Sequence, residues 1–169
     1  MLFDILQHTP AWVWGLFVAI TALGLAQTRD RDVSLVRITM LPLLLVALSA
    51  SGVLSRFGHS PVAIGSWGAG LGAALVFARN TLAVRGAAWS ARTATLRVPG
   101  SWLPLALMLA LFATKYVAGA SLALHPALAS DPAFAGACGL AYGSFSGLFL
   151  ARALSLRNLA RGAGAPQAA

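Results

Sequence analysis

The sequence has 169 residues and a net charge of +8, yet only 9% of its residues are charged while 59% are hydrophobic. A water-soluble domain carries about 25% charged residues to cover its core. With a mean hydropathy of +0.80, this composition excludes one and makes lipid the natural solvent. The positive charge does not point to nucleic acid, because the arginines sit in short loops between apolar runs rather than on one water-facing surface. A single cysteine, Cys138, excludes an intramolecular disulfide.

Taken in chain order, five apolar runs predict an all-α integral membrane protein, a bundle of about five transmembrane helices over 10–27, 38–55, 61–78, 101–123 and 132–154. Thr9-Pro10, Ser60-Pro61 and Asp131-Pro132 each place a capping side chain before a proline suited to a first helical turn. Ser101 is a candidate cap for the fourth span, with Pro104 in its first turn, and Pro42 stands similarly early in the second. The first run rivals a cleaved signal peptide, since Gly24-Leu25-Ala26 has small residues at the cleavage spacing. Asp4, the lack of Lys or Arg in the first ten residues and the length of the run favour a retained span.

Cations divide unequally between the loops. Arg29, Arg31, Arg37, Arg79, Arg85, Arg92, Arg97, Arg152, Arg157 and Arg161 fall on one side, and Arg56 alone on the other. The positive-inside rule then predicts an external N-terminus and a cytoplasmic C-terminus. The loop 79–100 is the one sizeable segment expected outside lipid. Its second half, Trp89 to Val98, alternates small or apolar with polar residues, which suits a short cytoplasmic β-hairpin around Arg85-Gly86 or an amphipathic surface segment. Residues 1–161 are expected to form one transmembrane domain, and the Gly/Ala/Pro-rich tail 162–169 to be disordered. A weak internal repeat, His8-Thr9-Pro10 with Trp14-Gly15 and His59-Ser60-Pro61 with Trp67-Gly68, suits either a duplicated helical hairpin or chance similarity between apolar helices.

Few residues offer chemistry. Lys115 lies deep in the fourth span beside Tyr116, and an ionisable group at that depth is costly enough to suggest function. With Tyr142 of the fifth span they form a candidate site for an anionic ligand; snorkelling of Lys115 toward the outer surface is the bland alternative. His8, His59 and His125 share the expected outer side and are candidate haem or metal ligands, though without ligand spacing, and no cofactor is expected. Arg37, Arg85, Arg92 and Arg97 serve topology, lipid phosphates or docking of a partner. Ala135, Gly139, Gly143, Gly147 and Ala151 recur every four residues and predict close helix packing, within the chain or in a homo-oligomer. No phosphate loop, nucleophile triad or carboxylate pair is present, so the sequence leans away from an enzyme.

Several segments in combination resemble a family of small bacterial inner-membrane proteins, a domain of unknown function. They are His8-Thr9-Pro10-Ala11-Trp12-Val13-Trp14, Val33-Ser34-Leu35-Val36-Arg37, Arg97-Val98-Pro99-Gly100-Ser101-Trp102, Lys115-Tyr116 and Tyr142-Gly143-Ser144-Phe145-Ser146-Gly147. The resemblance implies a multi-pass protein of the bacterial inner membrane and no particular activity. A more distant likeness to membrane proteins of cytochrome c biogenesis rests on Arg37 before Pro42, and the lone Cys138 gives it no thiol pair. Three readings follow: a small ligand-binding or transport-accessory module around Lys115, a structural or assembly protein that docks a membrane partner through its basic loops, and a haem- or metal-handling protein.

Overall fold

The computed structural model describes residues 9–58, 60–81, 84, 86–90, 92–93 and 95–164. Among the described residues there are five helices: α1 (Ala11–Ala26), α2 (Leu35–Phe57), α3 (Pro61–Thr81), α4 (Leu103–Leu124) and α5 (Pro132–Gly164). Three short strands join them, β1 (Arg31–Ser34), β2 (Ala88–Ser90) and β3 (Thr95–Val98), and a 3-10 turn spans Pro126–Ser130. Four helices, α2 to α5, are long and apolar enough to cross a membrane. At about 1.5 Å per residue the 16 residues of α1 span roughly 24 Å, short of the roughly 30 Å hydrocarbon core, so α1 falls below the length expected of it.

Helix starts follow the expected chemistry at α3 and α5 and differ at the other three. Asp131 Oδ1 accepts from Ala133 N at 2.7 Å and Phe134 N at 3.1 Å, and Ser60 Oγ accepts from Ala63 N. At α4 the cap position is Trp102, not Ser101, and it makes no side-chain cap bond; Ser101, one residue earlier, accepts from Leu103 N. At α2, however, Ser34 is the cap and accepts from Arg37 N, so the helix begins three residues earlier than the apolar run. Pro42 is therefore inside the helix and buried, not in its first turn. At α1 the cap position is Pro10, while Thr9 Oγ1 pairs with Tyr116 Oη at 2.7 Å.

The chain forms two compact units, Met1–Arg29 with Gly100–Pro126, and Asp30–Pro99 with Ala127–Ala169. In the first, α1 and α4 run antiparallel: Gly24 meets Leu105 at one end and Thr9 meets Tyr116 at the other. The link between them is tight, because Ser101 N donates to the Gln27 carbonyl at 3.0 Å and a Cβ at Gly100 would collide with the Thr28 carbonyl.

In the second unit α5 packs against α3 and α2. A Cβ at Gly139, Gly143 or Gly147 would strike the carbonyl oxygens of Ala63, Trp67 and Leu71 in turn, so α3 and α5 run parallel with their backbones in contact. Small residues every four positions allow this approach. The partner of the glycine stripe is thus another helix of the same chain. Helix α2 runs antiparallel to α5, with Phe57 against Phe134 near one end and Ser49 Oγ donating to the Tyr142 carbonyl near the middle.

The loop pairing is more elaborate than a hairpin. Strands β2 and β3 pair antiparallel, but their turn carries Arg92 and Thr93 rather than Arg85-Gly86, and β1 from the first loop adds to the other side of β3. Gly86, with φ of 78°, makes a separate bend before β2. Helix α5 continues past the expected end of its span to Gly164, which makes 162–164 helical. Its last turns place Ala153, Leu156 and Ala160 against Val33, Leu96 and Val98 of the sheet. These three residues, spaced three and four apart, form an amphipathic stripe.

Candidate functional site

Alternation along the strands sorts their side chains between two faces. The register sets Val33 opposite Leu96, and Leu96 opposite Trp89. These residues, with Val98, face the end of α5, and Leu96 is fully buried. The other face carries Asp32 opposite Arg97 and Ser34 opposite Thr95. Arg97 is 69% exposed and its guanidinium lies 3.9 Å from the carboxylate of Asp30. The turn bears exposed Arg92, and its Thr93 hydroxyl donates to Ser90 Oγ at 2.9 Å and meets Thr95 Oγ1 at 2.7 Å. Arg37 is exposed in the first turn of α2.

One arginine takes the inner face instead. Arg31 sits opposite Val98, where burial lowers its pKa from the ordinary arginine value, although it stays charged at any ordinary pH. Its charge is felt by Arg152 on α5 as a repulsion. The polar end of this unit is therefore strongly cationic. Arg37, Arg79, Arg92, Arg97, Arg152, Arg157 and Arg161 all belong to the helix ends and sheet there, while Arg56 stands at the far end of α2.

The remaining candidates are placed as follows. Lys115 lies on an exposed part of α4 in the first unit. Tyr116 beside it is engaged with Thr9 and stacks on Phe112 at a centroid distance of 6.3 Å. Tyr142 is buried in the second unit, where its carbonyl accepts from Ser49 Oγ at 3.3 Å and Ser146 Oγ at 2.9 Å. Ser49 Oγ in turn accepts from Trp67 Nε1 at 3.1 Å, a polar chain across α2, α3 and α5 that the sequence did not single out. Of the histidines, His125 ends α4 and is exposed, whereas His8 and His59 lie outside the described residues, as does Arg85. Among the described residues no three His, Cys, Asp or Glu side chains gather around a common point.

A family model matches residues 1–167 of this sequence. The chain belongs to the Family of unknown function (DUF6622). No curated protein and no solved structure matches it. Membership agrees with the uncharacterised family to which the sequence motifs pointed, and it carries no activity with it. Within the family's length, nearly all of this chain, the sheet joins the two loops that hold five of its twelve Lys and Arg residues, Arg29, Arg31, Arg85, Arg92 and Arg97.

Proposed function

We propose that the chain is a five-span protein of the bacterial inner membrane, with its N-terminus outside, α1 as a short first span and the sheet in the cytoplasm. The ten-to-one distribution of arginines supports this orientation. A short span is accommodated by local thinning of the bilayer or by flanking residues at modest cost.

In this reading the chain is an assembly module, and its cytoplasmic sheet docks an acidic segment of a partner protein. One observation carries the proposal: two basic loops, far apart in sequence, are joined into a single sheet with a buried apolar face, while Arg97 and Arg92 point to solvent. Loops that only set topology need charge and no common structure. A folded platform fixes the positions of its cations, which gives charge recognition its specificity and its rate.

Photo-crosslinking from position 88, which is exposed and lies opposite Arg97 in the sheet, tests the docking in intact membranes, followed by charge reversal on both sides. Arg92→Glu with Arg97→Glu should abolish the crosslink while the protein still inserts, and reversing the acidic residues at the mapped site should restore it. A crosslink indifferent to both reversals would remove the proposal. The orientation is tested separately by thiol labelling of single cysteines placed at positions 9 and 92 in a Cys138→Ser background. Labelling of position 92 from outside the cell would overturn it.

A further inference from the structure

A cleft of about 80 Å³ opens between α2 and α5, walled by Thr39, Leu43, Leu150, Ala153 and Leu154, with Arg157 at one end. Its wall offers water almost nothing, because the Thr39 hydroxyl is already donated to the Leu35 carbonyl at 2.9 Å. An ordered water needs two to four polar partners, so the space suits hydrocarbon. Its depth is fixed by α5. About 20 residues from Pro132 traverse the apolar core and end near Ala151. Leu150 and Leu154 then lie at the boundary, and Arg157 lies roughly 9 Å beyond it, at the level of lipid phosphates. Arg161, one turn further along the same side of α5, is exposed and extends the positive charge.

We infer that this cleft holds one anionic phospholipid, with the upper part of an acyl chain against Leu43, Leu150 and Leu154 and its phosphate on Arg157. The apolar wall selects the chain and the terminal guanidinium selects the negative headgroup. Basic pockets between helices at the membrane surface bind anionic headgroups in this way. The site does not depend on the docking surface, since its residues lie on the helices and not on the sheet.

Native mass spectrometry of the full chain, released from detergent with equal phosphatidylglycerol and phosphatidylcholine, tests the inference. The wild type should retain phosphatidylglycerol preferentially, and Arg157→Gln should lower its retention about fivefold, the factor expected for one cation near the surface. Arg92→Gln should leave retention unchanged, and Leu154→Trp, or Leu43→Phe if that variant does not fold, should lower it by filling the cleft. Equal loss in Arg92→Gln would mean diffuse attraction to the whole basic end and overturn the site. So would equal retention of the two lipids, no effect of Arg157→Gln, or displacement of the lipid by millimolar inorganic phosphate, which would make the ligand a free anion.

Discussion

Gly143 on α5 lies so close to the carbonyl oxygen of Trp67 on α3 that a single methyl group at position 143 would occupy the oxygen's place. The neighbouring turns repeat the relationship, Gly139 with Ala63 and Gly147 with Leu71, so the contact is a continuous seam of backbone against backbone. Carbonyl oxygens of a helix cannot move aside without breaking its own hydrogen bonds. Relief must come from separating the helices.

Gly143→Ala should therefore destabilise the protein by about 1–3 kcal/mol, the usual cost of overpacking a tight contact. Gly72→Ala is the matched control, because a Cβ there meets nothing within 4 Å. Thermal unfolding in detergent, followed by circular dichroism, should show a lowered midpoint for the first variant and none for the second. Equal midpoints would mean that the seam is not what holds α3 to α5.

The polar chain across the same three helices has a separate signature. Ser49→Ala removes the acceptor of the Trp67 indole and the donor to the Tyr142 carbonyl. The indole N–H is the group that suffers, since a helical carbonyl keeps its backbone partner. A loss of about 1 kcal/mol is expected, as membrane side-chain hydrogen bonds are only modestly stabilising. Ser49→Thr, which keeps the hydroxyl, should recover part of it in the same unfolding measurement.

For Tyr116, beside Lys115, the geometry assigns a structural contribution that can be measured. Tyr116→Phe deletes the hydroxyl paired with Thr9 and keeps the ring stacked on Phe112. The first unit should lose about 0.5–1.5 kcal/mol, the net worth of a typical hydrogen bond. A mass-spectrometric measurement of hydrogen exchange should show the loss as faster exchange at the start of α1 with little change in α2, α3 or α5.

How far the fold was legible depended on the strength of each local pattern. The apolar runs of α2 to α5 are strong signals, and the four-residue spacing from Ala135 to Ala151 announced a close helix contact, although only the structure shows that its partner is α3. Strand β1 was missed because four residues with a single apolar member, Val33, give no periodicity of their own; the strand exists because β3 pairs with it. The end of α5 was missed because Arg152, Arg157 and Arg161 mark the limit of the apolar run, and polarity ends a span without ending a helix. The stripe Ala153, Leu156, Ala160 was the available clue. Lys115 and Tyr142 are legible as polar residues within apolar spans; the structure places the first in one unit and the second in the other.

The sheet separates packing from charge, and that separation yields the last prediction. Leu96 is fully buried beneath it, while Arg97, the next residue, is largely exposed and 3.9 Å from a carboxylate that is itself largely exposed. Exposed ion pairs contribute less than about 1 kcal/mol, because water and salt screen them and two mobile side chains must be held together. Truncating a buried leucine costs about 2–5 kcal/mol through lost burial and the cavity left behind. Leu96→Ala should therefore release the sheet from the end of α5 and expose the loop between α3 and α4 to protease, whereas Arg97→Gln should leave the digestion pattern unchanged at low and at high salt. If Arg97→Gln were cut as readily as Leu96→Ala, the sheet would be held by its surface charges, and the buried face of Val33, Leu96 and Val98 would not be its anchor.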